Sequence, residues 1–215
     1  MGPVIEALFE TPVIVDSLPD AAALNAGLLS AIRARRASHP AGVTRSNQLG
    51  WHSDIDMLDW GGAAARALVE HVVGVADEHS IDIVSPDAPR FAWLPEMWAN
   101  ISPRGASNQF HCHAGAFWSA VYYVDDGYAG STDRRLGGEL IIEDPRMPML
   151  LMEGPDLRFR PRPDSTIAEP EQLFRPASGR LLMFPGWLRH GVKPYLGGRE
   201  RVSIAINLTA FRRPA

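Results

Sequence analysis

The sequence predicts a mainly β fold with flanking helices, a sandwich or barrel with one sheet covered by helices. Three observations carry this. From Pro89 to Phe211 the chain offers many short β-branched and aromatic runs. Turn-forming residues separate them, at Pro103 to Gly105, Asp125 to Gly127, Gly137-Gly138, Pro176 to Gly179 and Gly197-Gly198. Two stretches of helical periodicity precede them.

Residues 7–17 read as a short strand interrupted by Pro12. A helix is predicted near 19–37. Pro19-Asp20 opens it, and Leu24, Leu28, Leu29 and Ile32 recur at helical spacing. Arg33, Arg35 and Arg36 crowd its end, where cations suit the helix dipole, and His39-Pro40 stops it. Residues 41–60 read as an irregular loop. A second helix near 62–79 carries Ala65, Leu68, Val69, Val72, Val73 and Ala76 on one stripe. Strands are then expected near 91–101, 109–113, 117–124, 138–143, 149–153, 157–159, 180–184, 190–194 and 200–209. No internal repeat or linker-like stretch interrupts the 215 residues, so one domain spanning 1–215 is expected, its two helices packed on one sheet.

Hydrophobic content of 46%, charged content of 21% and a net charge of -4 are those of an ordinary globular protein. No basic footprint suggests a nucleic-acid partner. No apolar run approaches the roughly 20 residues of a membrane span, so no membrane association is expected. The lone cysteine, Cys112, permits neither an intramolecular disulfide nor a Cys-rich zinc site. The first residues lack a basic n-region and carry Glu6 and Glu10, a poor signal peptide. Together these give a cytoplasmic expectation.

The densest chemical signal is His111-Cys112-His113. On a strand the two histidines share a face and Cys112 takes the other, where it would be a small buried hydrophobe. Alone, such a pair also fits two polar or core histidines. A third candidate follows the apolar run 180–184 and the Pro185-Gly186 bend: His190. In a barrel, that strand can lie beside the first pair, completing a facial triad with open positions, the pattern of non-haem Fe(II) oxygenases.

Eleven positions later stands Arg201. Arg201, Ser203, Ala205 and Asn207 alternate with the apolar Val202, Ile204, Ile206 and Leu208. A guanidinium inside a central strand is costly without an anion, and its planar fork matches a carboxylate. The distal carboxylate of 2-oxoglutarate is such a partner, with Ser203 adding a hydroxyl. The structural alternative is an ion pair with Glu139, Glu143 or Glu200.

With these residues the sequence resembles the 2-oxoglutarate- and Fe(II)-dependent oxygenase superfamily. The order is that of its prolyl-hydroxylase-like branch: WANISPRG, the HxH, AVYYVDDG, LGGELII, ASGRLLMFP and the late His/Arg pair. More closely it resembles a bacterial and phage group of such oxygenases of unassigned substrate, with an LFETPV-like start, an SNQLGWHS-like segment and HxH in place of HxD. The resemblance spans about residues 7–211. It implies a double-stranded β-helix (jelly roll) and Fe(II) held by His111, His113 and His190. It also implies 2-oxoglutarate as co-substrate against Arg201 and Ser203, dioxygen as oxidant, and succinate and carbon dioxide as products. Asn100 and Tyr122 are candidate co-substrate contacts on this reading, with Tyr123 facing oppositely; cross-strand amide or aromatic packing is the alternative for each, and the favoured one for the tyrosines. His113 stands where the superfamily has a carboxylate, leaving open whether Glu139 joins the metal.

Two other readings compete. A cupin-type metal protein, dioxygenase or isomerase, shares the barrel and the histidines. Cupins add a Glu shortly after the HxH, however, where this chain has residues 114–118, AGAFW, and they give no reason for Arg201. A non-catalytic metal-containing ligand-binding module differs in lacking turnover. Trp93 and Trp98 are expected to pack, His52 to pack in its loop or else touch the site mouth, and 147–151 to form a strand or else a substrate-facing lid. The substrate, a small molecule or a peptide, is expected to meet the loops 41–60, 125–137 and 154–178. Oligomeric state, a homodimer included, stays open.

Overall fold

The polar/apolar alternation of residues 201–208 sets the architecture, because each face of that strand meets a different layer. In the computed structural model, which describes residues 8–18, 20–147, 154, 156–157 and 169–213, the elements are these. They run β1 (Ile14–Ser17), α1 (Ala21–Ser38), β2 (Asn47–Gln48), β3 (Trp51–His52), α2 (Met57–Trp60), α3 (Gly62–Glu78), β4 (Phe91–Ser102) and β5 (Ser107–His111). Then follow β6 (Trp118–Asp125), a 3-10 turn at Arg134–Leu136, β7 (Leu140–Glu143), β8 (Glu171–Phe174), β9 (Arg180–Pro185), β10 (His190–Val192) and β11 (Arg201–Arg212).

Two antiparallel sheets result. One is ordered β1-β9-β6-β11-β4-β3, the other β2-β5-β10-β7-β8. This is the expected jelly roll of the double-stranded β-helix kind. β11 is central, paired along its length with β4 and with β6.

The apolar face of β11 meets the helices. Val202, Ile204, Ile206 and Leu208 pack with Met97, Ala99 and Ile101 of β4 and Ala120 and Tyr122 of β6. Leu28 and Ile32 of α1 and Ala65, Leu68, Val69, Val72 and Ala76 of α3 close the same cluster. Both helices lie on one sheet, as their apolar stripes require. A smaller cluster joins the two sheets through Tyr123, Leu140, Ile142, Leu182, Phe184 and Leu188.

Several elements depart from the sequence reading. β1 starts at Ile14, after Pro12, and residues 8–13 form no strand. Residues 41–60 are not a loop throughout. Asn47–Gln48 pairs with β5, Trp51–His52 pairs with β4, and Met57–Trp60 is a helical turn. Two-residue strands are too short for any period to register. β5 ends at His111, so His113 lies in the turn beyond it rather than on the strand. A strand at Glu171–Phe174 pairs with β7 within the 154–178 segment, for which the sequence predicts no strand beyond 159. The strand expected at 149–153, residues 158–159 of the strand expected at 157–159, residues 148–151 of the run at 147–151, and Pro19 lie outside the described residues. No helix of the described residues is long and apolar enough to cross a membrane.

Tyr122 shows how helix and sheet are keyed. Its hydroxyl, fully buried, donates to Asn25 Oδ1 of α1 at 2.7 Å. Tyr122→Phe removes the donor and keeps the ring. It is expected to lower unfolding stability in urea by about 1–2 kcal/mol. Unchanged stability would mean the bond is not formed.

Candidate active site

The site begins with strand register. β10 pairs with β5 so that His190 lies directly opposite His111. Opposed residues of an antiparallel pair present side chains to one face, and here the two ring centroids are 4.4 Å apart. His113 reaches them from the turn after β5. Its backbone N–H donates to Gly186 O at 2.8 Å, which ties that turn to the Pro185-Gly186 bend. Its ring is 5.0 Å from His111 and 5.1 Å from His190. One ligating atom from each of the three lies within 4.8 Å of the others, a spacing that suits a single metal ion.

Hydrogen bonds select the ring nitrogen available for a metal. His111 Nδ1 is 2.7 Å from Gln109 O, and His190 Nδ1 is 2.8 Å from Leu188 O. Each carbonyl accepts from Nδ1–H and leaves Nε2 with its lone pair. The Asn207 amide sits 3.3 Å from His113 Nδ1, and Asn207 Oδ1 accepts from Ser119 Oγ at 3.0 Å. An amide suits either tautomer of His113. As drawn, its nitrogen donates to a bare Nδ1; turned over, its oxygen accepts from Nδ1–H while its nitrogen donates to Ser119. Burial opposes protonation of all three imidazoles. It pushes His190 down to about 4 and His113 down to about 3, the latter with help from the charges of His190 and His111, and it lowers His111 as well. The triad is therefore uncharged at neutral pH, the form that ligates a metal.

The triad opens into a cavity of about 490 Å³ between the sheets. Arg201 also lines it and is 2% exposed. Nη1 of Arg201 donates to Gly138 O at 2.8 Å and Nη2 to Ser102 Oγ at 3.1 Å. Nε is buried with no hydrogen-bond partner. Gly137 and Gly138 both take positive φ (63° and 83°), which lets the hairpin turn its carbonyl onto the guanidinium. The carboxylates considered as structural partners are engaged elsewhere: Glu139 faces Arg175 at 3.8 Å, Glu143 pairs with Arg189 and Glu200 with Arg36. Glu139 is also absent from the group of converging ligand atoms. Burial lowers the Arg201 pKa, with the nearby Tyr123, Tyr128, Tyr195 and Glu139 opposing that shift.

Ser203 and Asn100 line the cavity and are cross-strand partners of each other. Tyr122 does not join them. It faces the helices, and Tyr123 lines the cavity instead, fully buried with its phenol pushed up to about 12 by burial. The alternation was read correctly but its phase was reversed. Cys112, expected to be buried, is exposed, because the strand ends before it.

Two residues for which packing is the first expectation belong to the cavity wall, and for His52 this is the alternative of a place at the site mouth. His52 and Trp98 stack at 5.6 Å, and Trp98 tilts against His113 at 5.7 Å. Asn207 and Ser119 also line it. Asn207 shares the polar face of Arg201 in the sequence, which is the signal that marks it; His52 is marked only by its place in the SNQLGWHS segment.

The residues fit a metal and an anion. Three neutral imidazoles converge on one point, and a buried guanidinium with an unused donor lines the same cavity. A family model described as "Putative 2OG-Fe(II) oxygenase" matches residues 96–207 of the 215. The chain belongs to this family. Members use Fe(II), 2-oxoglutarate and dioxygen, so this oxygenase is an enzyme of that class, and the cupin-type alternative is set aside.

No curated sequence matches the oxygenase. Among solved structures it is similar to a Pseudomonas putida prolyl-4-hydroxylase, with 20% identity, a TM-score of 0.59 and coverage of 95% of this chain and 94% of that one. It is also similar to a Trichoplax adhaerens prolyl hydroxylase in complex with a hypoxia inducible factor peptide, at 13% identity, TM-score 0.60 and coverage of 92% and 83%. HygX from Streptomyces hygroscopicus with nickel, 2-oxoglutarate and hygromycin B bound is similar at 12% identity, TM-score 0.53 and coverage of 93% and 83%. At these identities the likeness bears on the fold.

If Asn207 orients His113, Asn207→Ala is expected to weaken Fe(II) binding about 10–100-fold in anaerobic dialysis, with the fold retained by circular dichroism. Unchanged affinity would detach Asn207 from the metal.

Proposed function

We propose that His111, His113 and His190 hold the Fe(II) of this oxygenase, and that Arg201 with Ser203 binds the distal carboxylate of 2-oxoglutarate. The observation that carries this is the buried Arg201, with Nε lacking a partner, in the same cavity as the triad. An anion arriving there fills the unmet donor and offsets the cost of the buried charge. On this reading residues 1–215 act as one oxygenase domain in the cytoplasm.

The chain's residues have distinct tasks. The carbonyls of Gln109 and Leu188 hold two imidazoles in the ligating tautomer, and Asn207 steadies the third. Gly138 O and Ser102 Oγ fix the guanidinium plane before any ligand arrives. Asn100 and Tyr123 bound the co-substrate on two sides, and Leu140 and Phe184 exclude water from it. Bound iron with 2-oxoglutarate supplies oxidation of a substrate C–H bond by dioxygen, releasing succinate and carbon dioxide. Three histidines bring no negative charge to Fe(II), so the anionic co-substrate supplies the neutralisation a carboxylate ligand gives elsewhere.

The open side of the triad is left for a small-molecule or peptide substrate. Both kinds occur among the similar structures, one with hygromycin B and one with a peptide fragment.

Anaerobic titration of the Fe(II) protein with 2-oxoglutarate is expected to develop a visible charge-transfer band. Arg201→Lys, which keeps the charge and loses the fork, and Arg201→Ala are each expected to raise the half-saturating concentration, the latter about 30-fold or more. No band in the wild type would refute the co-substrate assignment, and unchanged affinity in both variants would refute Arg201. Succinate release on adding dioxygen separates an enzyme from a ligand-binding module.

A further inference from the structure

The cavity face of the β4/β11 ladder is polarised. Its cross-strand pairs run Arg201 with Ser102, Ser203 with Asn100, Ala205 with Trp98, and Asn207 with Glu96. At roughly 3.3 Å per residue, Arg201 and Glu96 stand about 20 Å apart along the ladder. His113 touches both Asn207 and Trp98, so the triad sits over the Glu96 half. If 2-oxoglutarate extends from the triad toward Arg201, as proposed above, the Glu96 side is what remains for substrate.

Glu96 is the one carboxylate lining the cavity among the described residues. It is half-buried and makes no hydrogen bond or ion pair with any described residue. It is not part of the group of converging metal-ligand atoms. In the free protein water solvates it. A substrate that fills the cavity strips that water away, and the carboxylate then opposes binding unless the substrate brings a cation. Two pairs along from Asn207 and Glu96, toward the co-substrate, the wall is aromatic: Trp98 is 8% exposed and stacks on the buried His52. A carboxylate next to an indole face receives a positively charged nitrogen on an aliphatic stem, through an ion pair and through packing and cation–π contact. Ile55 adds apolar surface to the same cavity. Arg45, exposed on the segment before β2, supplies an opposite charge among the lining residues.

We propose that the substrate carries an amine or guanidine group that binds Glu96, with its aliphatic stem against Trp98 and a C–H of that stem presented to the metal centre. The inference rests on the assignment of Arg201 to the co-substrate. A free basic amino acid and a basic side chain within a peptide share this chemistry. They differ at the α-carboxylate, which only the free amino acid can offer to Arg45.

The test starts from the anaerobic Fe(II) protein saturated with 2-oxoglutarate. Its charge-transfer band verifies the underlying reading first; absence of the band is a failure of that reading and not of this one. Calorimetry then compares L-lysine and L-arginine with L-norleucine and L-citrulline, their neutral counterparts, and with Nα-acetyl-L-lysine amide as the peptide-like form. At least one cationic compound is expected to bind about tenfold or more tighter than its neutral counterpart. Tighter binding of the free amino acid than of the capped one assigns the α-carboxylate to Arg45; the reverse assigns a peptide. In Glu96→Gln the preference for the cation is expected to vanish. Equal binding of cationic and neutral compounds, no binding of any cation, or a preference that survives Glu96→Gln overturns the proposal.

Discussion

The pairing of β10 with β5 is the constraint on which the site depends. His190 and His111 are far apart in the chain and become neighbours solely because these short strands align them. A slip of one residue would turn His190 to the opposite face of the sheet, away from His111 and His113. The three-residue β10 is held from both sides, by β5 and by β7. Gly186 then holds the His113 turn through a backbone bond, so the third imidazole depends on the bend that leads into β10.

The other sheet supplies Asn100, Arg201, Ser203 and Asn207. β11 divides its residues between two layers, with Ile204 and Ile206 anchoring the helices and Arg201, Ser203 and Asn207 facing the cavity. The same packing that stabilises the helix layer therefore fixes the depth of the guanidinium. One side of this strand contributes hydrophobic stability, and the other holds an unsatisfied donor until a ligand arrives.

Much of this was legible in the sequence because it rests on period and spacing. The two helices, the long strands and the apolar phase of β11 follow from 3.6- and 2-residue patterns, and the three histidines with Arg201 follow from residue chemistry. What escaped had other causes. Trp51–His52 and Asn47–Gln48 are strands only because longer strands offer them an edge, so sequence period could not decide between packing and the site mouth for His52. Tyr122 and Tyr123 are chemically alike, and their assignment needed the phase of β6 against the helices, which a bulge between Val202 and Ser203 of β11 obscures. Cys112 and His113 were placed by extending a strand that stops at His111. Which carboxylates are paired, and hence which of them is free to meet a ligand, is a three-dimensional property altogether.

The central claim is that three imidazoles share one iron. Iron per chain after anaerobic loading and gel filtration, measured in the wild type and in His111→Ala, His113→Ala and His190→Ala, tests it most directly. The account expects one Fe(II) per chain in the wild type and loss of that iron in each variant while the circular dichroism stays that of a folded β protein. Full iron retention in any folded variant would contradict the shared site.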